Sequence, residues 1–299
     1  MIIKQIKIDF FVTPQIKRYV FVYLIDTGKT LLMIDSGVAG SENIIENAIK
    51  SIGYQPSDLE AIFLTHAHPD HIGTACYFRE KYGAKVFASK GERAWIEDIN
   101  LQYSKRPIPN FFELAGKSTP VDYVVKDGDK VFLSDRSVIE VVGTSGHSVD
   151  EVSFRYGDAL FIGDSVPVKG DIPILVDLEK SIKTLEIIAG MTEVTRFYPA
   201  WDQEYSREMM DEKISEAKRL IDILRTTVKK ADNKYDLPEL VEFVCEELKM
   251  PILKSNPLFA KTIEACRKEG EECFASKEYQ EIMNKRISSV DARALIVEN

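Results

Sequence analysis

The sequence has little cysteine and little histidine, with four of each among 299 residues. The cysteines are far apart and form no Cys-x-x-Cys pair, which excludes a disulfide framework; they are Cys76, Cys245, Cys266 and Cys273. We therefore expect a reduced, cytoplasmic protein whose thiols are mostly buried.

Long hydrophobic runs are also missing, since no stretch approaches the ~20 apolar residues that span a bilayer. The amino-terminal run is interrupted by Lys4, Lys7 and Asp9, so we interpret it as a first strand and not as a signal peptide. Basic residues number 39 against 48 acidic ones, and the net charge of −9 disfavours nucleic-acid binding. We expect neither a membrane nor a nucleic acid as a partner. A hydrophobic content of 44% nevertheless supplies a core and excludes wholesale disorder.

The first two thirds of the chain alternate between short apolar strands and amphipathic helices. A helix is predicted over 72–82, and strands are predicted within the first 40 residues and at 61–64, 137–142, 151–156 and 159–162. This alternation indicates an α/β architecture in which helices cover sheets. Between residues 99 and 119 the pattern dissolves. Two interpretations stay open for that segment, a lid or binding loop and a surface excursion.

After residue 205 the periodicity becomes purely helical. This change predicts a boundary between a sheet-containing domain at 1–205 and a small all-α region at 206–299. A first helix carries an apolar face from Met210 to Leu224. We predict that this face packs against the first domain or against a second copy in a homodimer, and packing within the tail itself stays an equal alternative.

Local signals mark the starts of further helices in this tail. Asp236 followed by Glu239 resembles a capping box, and Asn256-Pro257 resembles an N-cap followed by a first helical residue. The helix that starts there is predicted to end at Gly270, and a fourth helix is predicted near Tyr279.

Three of the four histidines lie within six residues, at His66, His68 and His71, with Asp70 between the last two. Two imidazoles two residues apart do not share a face of a regular helix, and Pro69 disfavours both a helix and a central strand. The cluster is therefore predicted to lie on a turn after the strand at 61–65. Imidazole and carboxylate donors suit zinc, iron or manganese.

The fourth histidine and a distant aspartate end two other predicted strands. His147 lies in the glycine-bearing turn Gly143–Ser148, and Asp164 follows the apolar run LFIG. The hairpin between them brings both residues back to one edge of the sheet. We therefore include both among the candidate ligands.

These motifs resemble the metallo-β-lactamase fold superfamily of hydrolases. The similar features are the His-x-His-x-Asp-His run at 66–71, the Gly-His-Ser turn at 146–148 and the apolar Gly-Asp element at 163–164. The resemblance covers roughly residues 5–205 and implies an αββα sandwich with two divalent metal ions at the edge between the sheets. It implies that one metal is held by His66, His68 and His147, a second by Asp70 and His71, and both by Asp164. It also implies a supporting role for Asp35.

The sequence departs from the family at one position. The family usually supplies a last second-site histidine in a turn that here reads Tyr198-Pro199-Ala200-Trp201-Asp202. The indole of Trp201 has no lone pair for a metal, whereas the carboxylate of Asp202 is a competent ligand. We predict Asp202 as the replacement ligand, with a solvent-exposed carboxylate beside an incomplete second site as the alternative.

The ligand set points to metal-assisted hydrolysis. The chain has no Gly-x-Ser-x-Gly motif and no cysteine beside a histidine, which disfavours a side-chain nucleophile. Hydroxide generated at the metal would attack a small ester, thioester, lactone or phosphodiester, and Asp70 would act as a catalytic acid or base besides serving as a ligand. Zinc is the first expectation, with iron or manganese as alternatives.

Two other functions stay open. An iron oxidoreductase similar to persulfide dioxygenases would use the same pocket, because two histidines and one carboxylate can hold Fe(II). A degenerate member with a regulatory or assembly role is the third.

Overall fold

The computed structural model describes residues 2–168, 171–231, 234–254 and 256–267. Twelve strands lie in this part of the chain, and their order matches the predicted alternation. They are β1 (Ile2–Thr13), β2 (Ile16–Asp26), β3 (Leu31–Ile34), β4 (Leu59–Phe63), β5 (Lys85–Ser89), β6 (Tyr123–Val125), β7 (Lys130–Phe132), β8 (Val138–Gly143), β9 (Val152–Tyr156), β10 (Ala159–Gly163), β11 (Arg196–Pro199) and β12 (Tyr205–Ser206).

Ten α-helices accompany these strands in the described ranges. None of them is both long and apolar enough to cross a membrane. They are α1 (Glu42–Ser51), α2 (Pro69–Ile72), α3 (Ala75–Tyr82), α4 (Lys90–Glu97), α5 (Ile99–Lys105), α6 (Phe111–Ala115), α7 (Leu178–Gly190), α8 (Arg207–Lys229), α9 (Leu237–Glu247) and α10 (Pro257–Arg267).

The strands form two six-stranded sheets. The first has the order β1-β2-β3-β4-β5-β6, antiparallel from β1 to β3 and parallel from β3 to β6. The second has the order β12-β11-β10-β9-β8-β7 and is antiparallel except for the parallel pair of β10 and β11. Parallel neighbours need helical crossovers, which explains why helices cover the outer faces.

Three hydrophobic cores define the layers. One packs the first sheet against α1 to α6, through residues such as Ile8, Ile62 and Phe78. A second lies between the sheets, where Phe63, Phe154 and Phe161 meet. The third packs the second sheet against α7 to α10. The predicted αββα sandwich followed by a helical region is thereby confirmed.

The helical tail shares the third core with the second sheet. Met210, Ile214, Ala217, Ile221 and Leu224 are buried on one face of α8, as the sequence spacing predicted. The same core contains residues of α7, β10 and β11. This core also contains residues of α9 and α10. The face therefore packs both against the sheet-containing part of its own chain and within the tail, so two of the predicted alternatives hold together.

The predicted helix starts of the tail are confirmed. Asp236 and Glu239 form a reciprocal capping box at α9, and the Asn256 carboxamide accepts hydrogen bonds from the backbone N–H groups of Leu258 and Phe259 at the start of α10. The helix end at Gly270 and the helix near Tyr279 lie outside the described residues. The domain boundary at residue 205 falls within β12 and stays a prediction.

Two local predictions need correction. The helix predicted over 72–82 is present as α3 over Ala75–Tyr82, but Ile72 belongs to α2, and Gly73 and Thr74 separate the two helices. Gly73 lies close to the backbone of Val38, Ala39 and Leu114, at 2.2–2.5 Å from an added Cβ. The segment 99–119 is not irregular, since it forms the short helices α5 and α6, which the aromatic side chains Phe111 and Tyr103 pack onto the first core.

Candidate metal centre

The histidine-rich run lies where the chain leaves β4 and turns into α2. His66 and His68 precede this helix, and Asp70 and His71 lie on it. Pro69 was expected to disfavour a helix, but it occupies the first helical position, where its missing N–H costs no hydrogen bond. The combination of an extended arm and one helical turn directs side chains two residues apart to one point.

Four predicted ligands converge on that point. One ligand atom from each of His66, His68, His147 and Asp164 lies within 4.8 Å of the others. His68 Nδ1 is 3.0 Å from His147 Nε2, and His147 Nε2 is 3.3 Å from an Asp164 oxygen. The β9–β10 hairpin brings His147 and Asp164 to this edge, as the strand pattern predicted.

Asp164 also faces a second group of donors. His71 Nε2 is 3.4 Å from Asp164 Oδ1 and 3.7 Å from Asp70 Oδ2. The two Asp164 oxygens thus point to different partners, since Oδ2 faces His147 and Oδ1 faces His71. This arrangement is the one expected of a carboxylate shared between two metal positions.

The donor set fits divalent metal ions. Buried imidazole and carboxylate atoms rarely lack a partner, because each orphan costs about 1–3 kcal/mol. Among the described residues, four such atoms of the predicted ligands have no hydrogen-bond partner: His66 Nε2, His68 Nε2, His71 Nε2 and Asp164 Oδ1. Nitrogen and carboxylate oxygen are the donors that zinc, iron and manganese accept. The site is therefore a divalent-metal site.

Burial keeps His66, His68 and His147 neutral. It lowers the pKa of His66 and of His68 well below the ordinary value, and it lowers the pKa of His147 to about 4. A neutral imidazole offers the lone pair that a metal requires. The site is thus ready to bind metal at neutral pH without first releasing protons from these rings.

His71 behaves differently because carboxylates surround it. Burial alone would lower the pKa of His71, but Asp35, Asp164 and Asp70 together raise it well above the ordinary value. Burial raises the pKa of Asp164, yet His71 and His147 outweigh it and hold that pKa well below the ordinary value. A metal ion among Asp70, His71 and Asp164 would replace the His71 proton as the neutralising charge.

Asp35 fixes the orientation of His71. Its carboxylate is 2.8 Å from His71 Nδ1 and accepts a hydrogen bond from the backbone N–H of Thr65 at 2.8 Å. The other ring nitrogen, Nε2, is thereby directed at the metal position. Asp35 adopts φ 55°, a conformation uncommon for a residue other than glycine. The structure places Asp35 in the supporting position that the resemblance implied.

Two residues that sequence reasoning missed hold the loop between the first two ligands. The Glu92 carboxylate accepts a hydrogen bond from the backbone N–H of Ala67 at 3.0 Å, and the Gln102 amide donates to the Ala67 carbonyl at 2.5 Å. Glu92 also accepts from the Ser148 hydroxyl at 2.6 Å, next to His147. One side chain therefore ties both ligand-bearing turns together. No spacing in the sequence distinguishes Glu92 or Gln102 from surface helix residues.

A third missed residue supports Asp164. Glu151 is fully buried and accepts a hydrogen bond from the Asp164 backbone N–H at 2.9 Å. Burial and the neighbouring Asp164 raise the pKa of Glu151 well above the ordinary value. Gly163 permits this approach, because a Cβ there would lie 2.8 Å from the Glu151 carboxylate.

Asp202 lies apart from these donors. Its carboxylate accepts hydrogen bonds from the Tyr205 hydroxyl at 2.6 Å and the Gln203 N–H at 2.8 Å. In the described parts of the chain, no hydrogen bond or ion pair joins it to the six other predicted ligands. Trp201, which fills the expected histidine position, stacks under the Arg18 guanidinium at 4.6 Å. The structure brings six of the seven predicted ligands together, and the ligand role of Asp202 stays a prediction.

The Asp202→Asn variant separates the two interpretations of this residue. The alternative of an exposed carboxylate, held by the Tyr205 hydroxyl and the Gln203 N–H, predicts that Asp202→Asn protein binds metal with the stoichiometry and affinities of the wild type. Titration of metal-free protein with zinc and manganese, followed by calorimetry, measures both quantities. A selective weakening of the less tightly held ion would instead establish Asp202 as the replacement ligand.

The metal centre opens into a cavity of about 1320 Å³. Its wall includes His68, Asp70, His147 and Asp164. The segment predicted as a lid or a surface excursion contributes lining residues from Tyr103 to Leu114, and the tail contributes Leu253 and Asn256–Leu258. Both regions therefore shape the space around the metal site.

The tail also reaches a metal ligand through hydrogen bonds. The Thr262 hydroxyl on α10 donates to the Pro173 carbonyl at 2.6 Å and accepts from the Leu175 N–H at 3.0 Å. Between them, the Ile174 carbonyl lies 3.1 Å from His147 Nδ1. This contact fixes the ring so that Nε2 faces the metal position.

Comparisons with known proteins agree with this geometry. A family model described as the metallo-beta-lactamase superfamily matches residues 16–201. The chain is 33% identical over 151 residues to the probable metallo-hydrolase YqgX of Bacillus subtilis (strain 168). The matched segment is 50% of this chain and 67% of that protein. It is 32% identical over 124 residues to a hydroxyacylglutathione hydrolase of Brucella anthropi, covering 41% of this chain and 38% of that one.

A solved structure extends the likeness to the whole fold. The metallo-beta-lactamase family protein TTHA1429 from Thermus thermophilus has a TM-score of 0.65 and covers 94% of each chain, at 17% identity. At that identity the likeness shows the fold, including helices after the sheets. Together with the family match and the convergent histidines and aspartates, it establishes that this chain belongs to the metallo-beta-lactamase superfamily.

Proposed function

We propose that this enzyme is a hydrolase that uses two divalent metal ions to cleave an ester, thioester, lactone or phosphodiester bond of a small substrate. The observation that carries the proposal is the position of Asp164, with one oxygen facing His147 and the other facing His71. A divalent ion held by these residues would supply Lewis acidity, which shifts the pKa of water from about 15.7 towards ~7.

Asp70 is the residue placed to move protons. Its side chain lies on the cavity wall, 16% exposed, beside His71. Burial raises the pKa of Asp70 above the ordinary value, which makes its carboxylate a better proton acceptor. We assign to it the proton taken from the attacking water and returned to the leaving group.

The remaining cavity residues disfavour a covalent route through serine or cysteine. No serine or cysteine lies among the described residues of the wall. All four histidines of the sequence belong to the metal centre, so none remains to activate a side-chain nucleophile. A similarity to a hydroxyacylglutathione hydrolase supports an acyl compound as the substrate.

Metal analysis and a substrate panel test the proposal together. Protein purified without added metal is analysed for zinc, iron and manganese, reconstituted, and assayed on esters, thioesters, lactones, phosphodiesters and β-lactams while oxygen uptake is recorded. We expect about two ions per chain and hydrolysis that a chelator abolishes. Stoichiometric iron with oxygen uptake would instead establish the oxidoreductase, and absence of hydrolysis by fully loaded protein would contradict the proposal.

A further inference from the structure

A long strand forms one outer edge of the first sheet. β1 runs over Ile2–Thr13 and pairs with β2 alone, so it is the last strand of its sheet. Within the described residues, the backbone hydrogen bonds of β1 go to β2 and to no other segment. The N–H and C=O groups on the side away from β2 are therefore available to another strand.

The edge lacks most of the usual protection against pairing. Proteins commonly protect an exposed edge with a short strand, a proline, a covering segment or lysines. β1 has 12 residues and no proline. Lys7 and Asp9 lie on one face near its middle, because side chains two apart point the same way, and their side chains are 53% and 48% exposed. A second copy of this strand would meet charges of both signs on that face.

Twofold symmetry restricts how two copies of β1 can pair. In a symmetric antiparallel pair the central residue faces itself, and residues equally far from it on either side face each other. A centre at Ile8 places Lys7 opposite Asp9 of the second copy, and Asp9 opposite Lys7. A centre at Lys7 or at Asp9 would place like charges opposite each other, which is destabilising. Centres at Ile6 or Phe10 would pair neither charge with an opposite one, so charge selects Ile8.

The other pairs of this register are also compatible. On the opposite face, Ile6 meets Phe10 of the second copy and Ile8 meets itself, which continues the first core across the edge. Phe11 is 54% exposed, and opposite Gln5 of the second copy it would gain burial. A register shift after Phe11 ends the regular part of β1, so pairing extends between these last two residues.

Contacts within one chain do not hold the two charges back from a second copy. Asp9 lies 3.2 Å from Lys17 and 3.9 Å from Lys7, and the Lys7 ammonium lies 4.3 Å from the centre of the Tyr19 ring. Such exposed pairs contribute little, because water and salt screen them. Partial burial between two copies reduces this screening, which strengthens the attraction between Lys7 and Asp9.

We propose that the enzyme forms a homodimer by antiparallel pairing of β1 with β1 of a second copy, centred on Ile8. Two symmetry-related ion pairs join Lys7 of each copy to Asp9 of the other. The pairing joins two six-stranded sheets into one continuous sheet. Lys7 and Asp9 also line the cavity of the metal centre, so each copy lies at the rim of its partner's cavity. This surface differs from the α8 face, which is buried in the third core.

A charge swap on the full-length protein tests the interface. Analytical ultracentrifugation over a range of concentrations should show a monomer–dimer equilibrium for the wild type. We expect Lys7→Asp to weaken dimerisation about 10- to 100-fold, because it places two pairs of like charges at the interface, and Asp9→Lys to do the same. The variant with both substitutions should dimerise like the wild type. An equimolar mixture of the two single variants should form heterodimers, since each supplies the charge that the other lacks.

A charge reversal on an inner strand is the matched control. Lys85 is exposed on β5, which lies between β4 and β6, and Lys85→Asp should leave the dimerisation constant unchanged. Circular dichroism and melting temperatures of all variants establish that each one folds. Rescue by the double variant and by the mixture cannot come from misfolding, because both contain the same substitutions as the single variants.

Three results would overturn the proposal. A wild type that stays monomeric at every concentration has no such interface. A dimer that tolerates Lys7→Asp and Asp9→Lys uses another surface. If the single variants lose the dimer but neither the double variant nor the mixture restores it, Lys7 and Asp9 do not face each other across the interface, and the register centred on Ile8 is wrong.

Discussion

Protein carrying both His66→Ala and His68→Ala is expected to fold but to lose bound metal and hydrolysis. Substitution of a residue that only supports a metal ligand typically lowers metal affinity or activity about 10- to 100-fold. Removal of two direct ligands should cause a larger loss. Metal analysis of the purified variant and kcat/KM on any substrate of the wild type measure the loss. The fold should survive because both rings face the metal position at the edge between the sheets and not a hydrophobic core.

A chelator provides the control for this pair of substitutions. Metal that binds only the folded state stabilises it, so chelation should lower the melting temperature of the wild type. The same chelator should leave the melting temperature of the double variant unchanged. Retention of both metal and hydrolysis by the double variant would refute the assignment of the centre.

Removal of residues 206–299 is expected to leave a chain that does not form a soluble, monodisperse protein. The cut would expose fully buried side chains of β10, β11 and α7, among them Leu160, Leu185 and Phe197. Burial of each such side chain is worth about 1.5–3 kcal/mol, and several together reach the roughly 5–15 kcal/mol that stabilises a typical domain. Size-exclusion chromatography and circular dichroism of the 1–205 fragment test this expectation.

Two neighbouring positions on α8 supply a finer comparison. Leu224 is fully buried in the shared core, and Ile223 is 50% exposed. We expect Leu224→Asp to destabilise the whole protein by about 3–5 kcal/mol or to prevent folding, since it places an unpaired charge in an apolar core. Ile223→Asp should change the free energy of unfolding by less than about 0.5 kcal/mol. A soluble, active 1–205 fragment would instead establish the domain boundary predicted at residue 205.

The tail also carries a functional consequence. Thr262 holds the Pro173–Leu175 segment, and Ile174 orients His147. Loss of the tail would therefore remove support from a metal ligand as well as from the core. The helices that follow the sheets contribute to the metal centre through this connection.

Much of the metal centre could be predicted from the sequence because its signals are local. His66, His68, Asp70 and His71 lie within six residues, and such a density of metal donors has few structural explanations. His147 and Asp164 required only the inference that two strand ends joined by a hairpin return to one edge. The sequence signals for the buried face of α8 and for the Asp236 capping box are equally local, and the structure confirms both.

The remaining features depend on contacts between residues far apart in the chain. Glu92 reaches Ser148 across 56 positions, and Gln102 reaches Ala67 across 35. Neither residue differs in the sequence from an ordinary polar residue of a surface helix. The helices α5 and α6 form from a segment rich in turn residues because packing of its aromatic side chains on the first core outweighs weak local propensity.

Asp202 shows the same limit at a single residue. Its type and its place near the missing histidine made it a reasonable ligand. In the fold its carboxylate accepts a hydrogen bond from the Tyr205 hydroxyl, which the sequence did not indicate, and its ligand role stays a prediction. The sequence by itself determined the α/β alternation, the helical tail and the histidine-rich candidate site, since hydrophobic period and ligand spacing are properties of neighbouring residues. The resemblance to the superfamily implied the αββα sandwich. Only the tertiary structure decided which side chains support the candidate ligands and how the tail joins the core, because burial and directed hydrogen bonds exist only once distant segments have packed together.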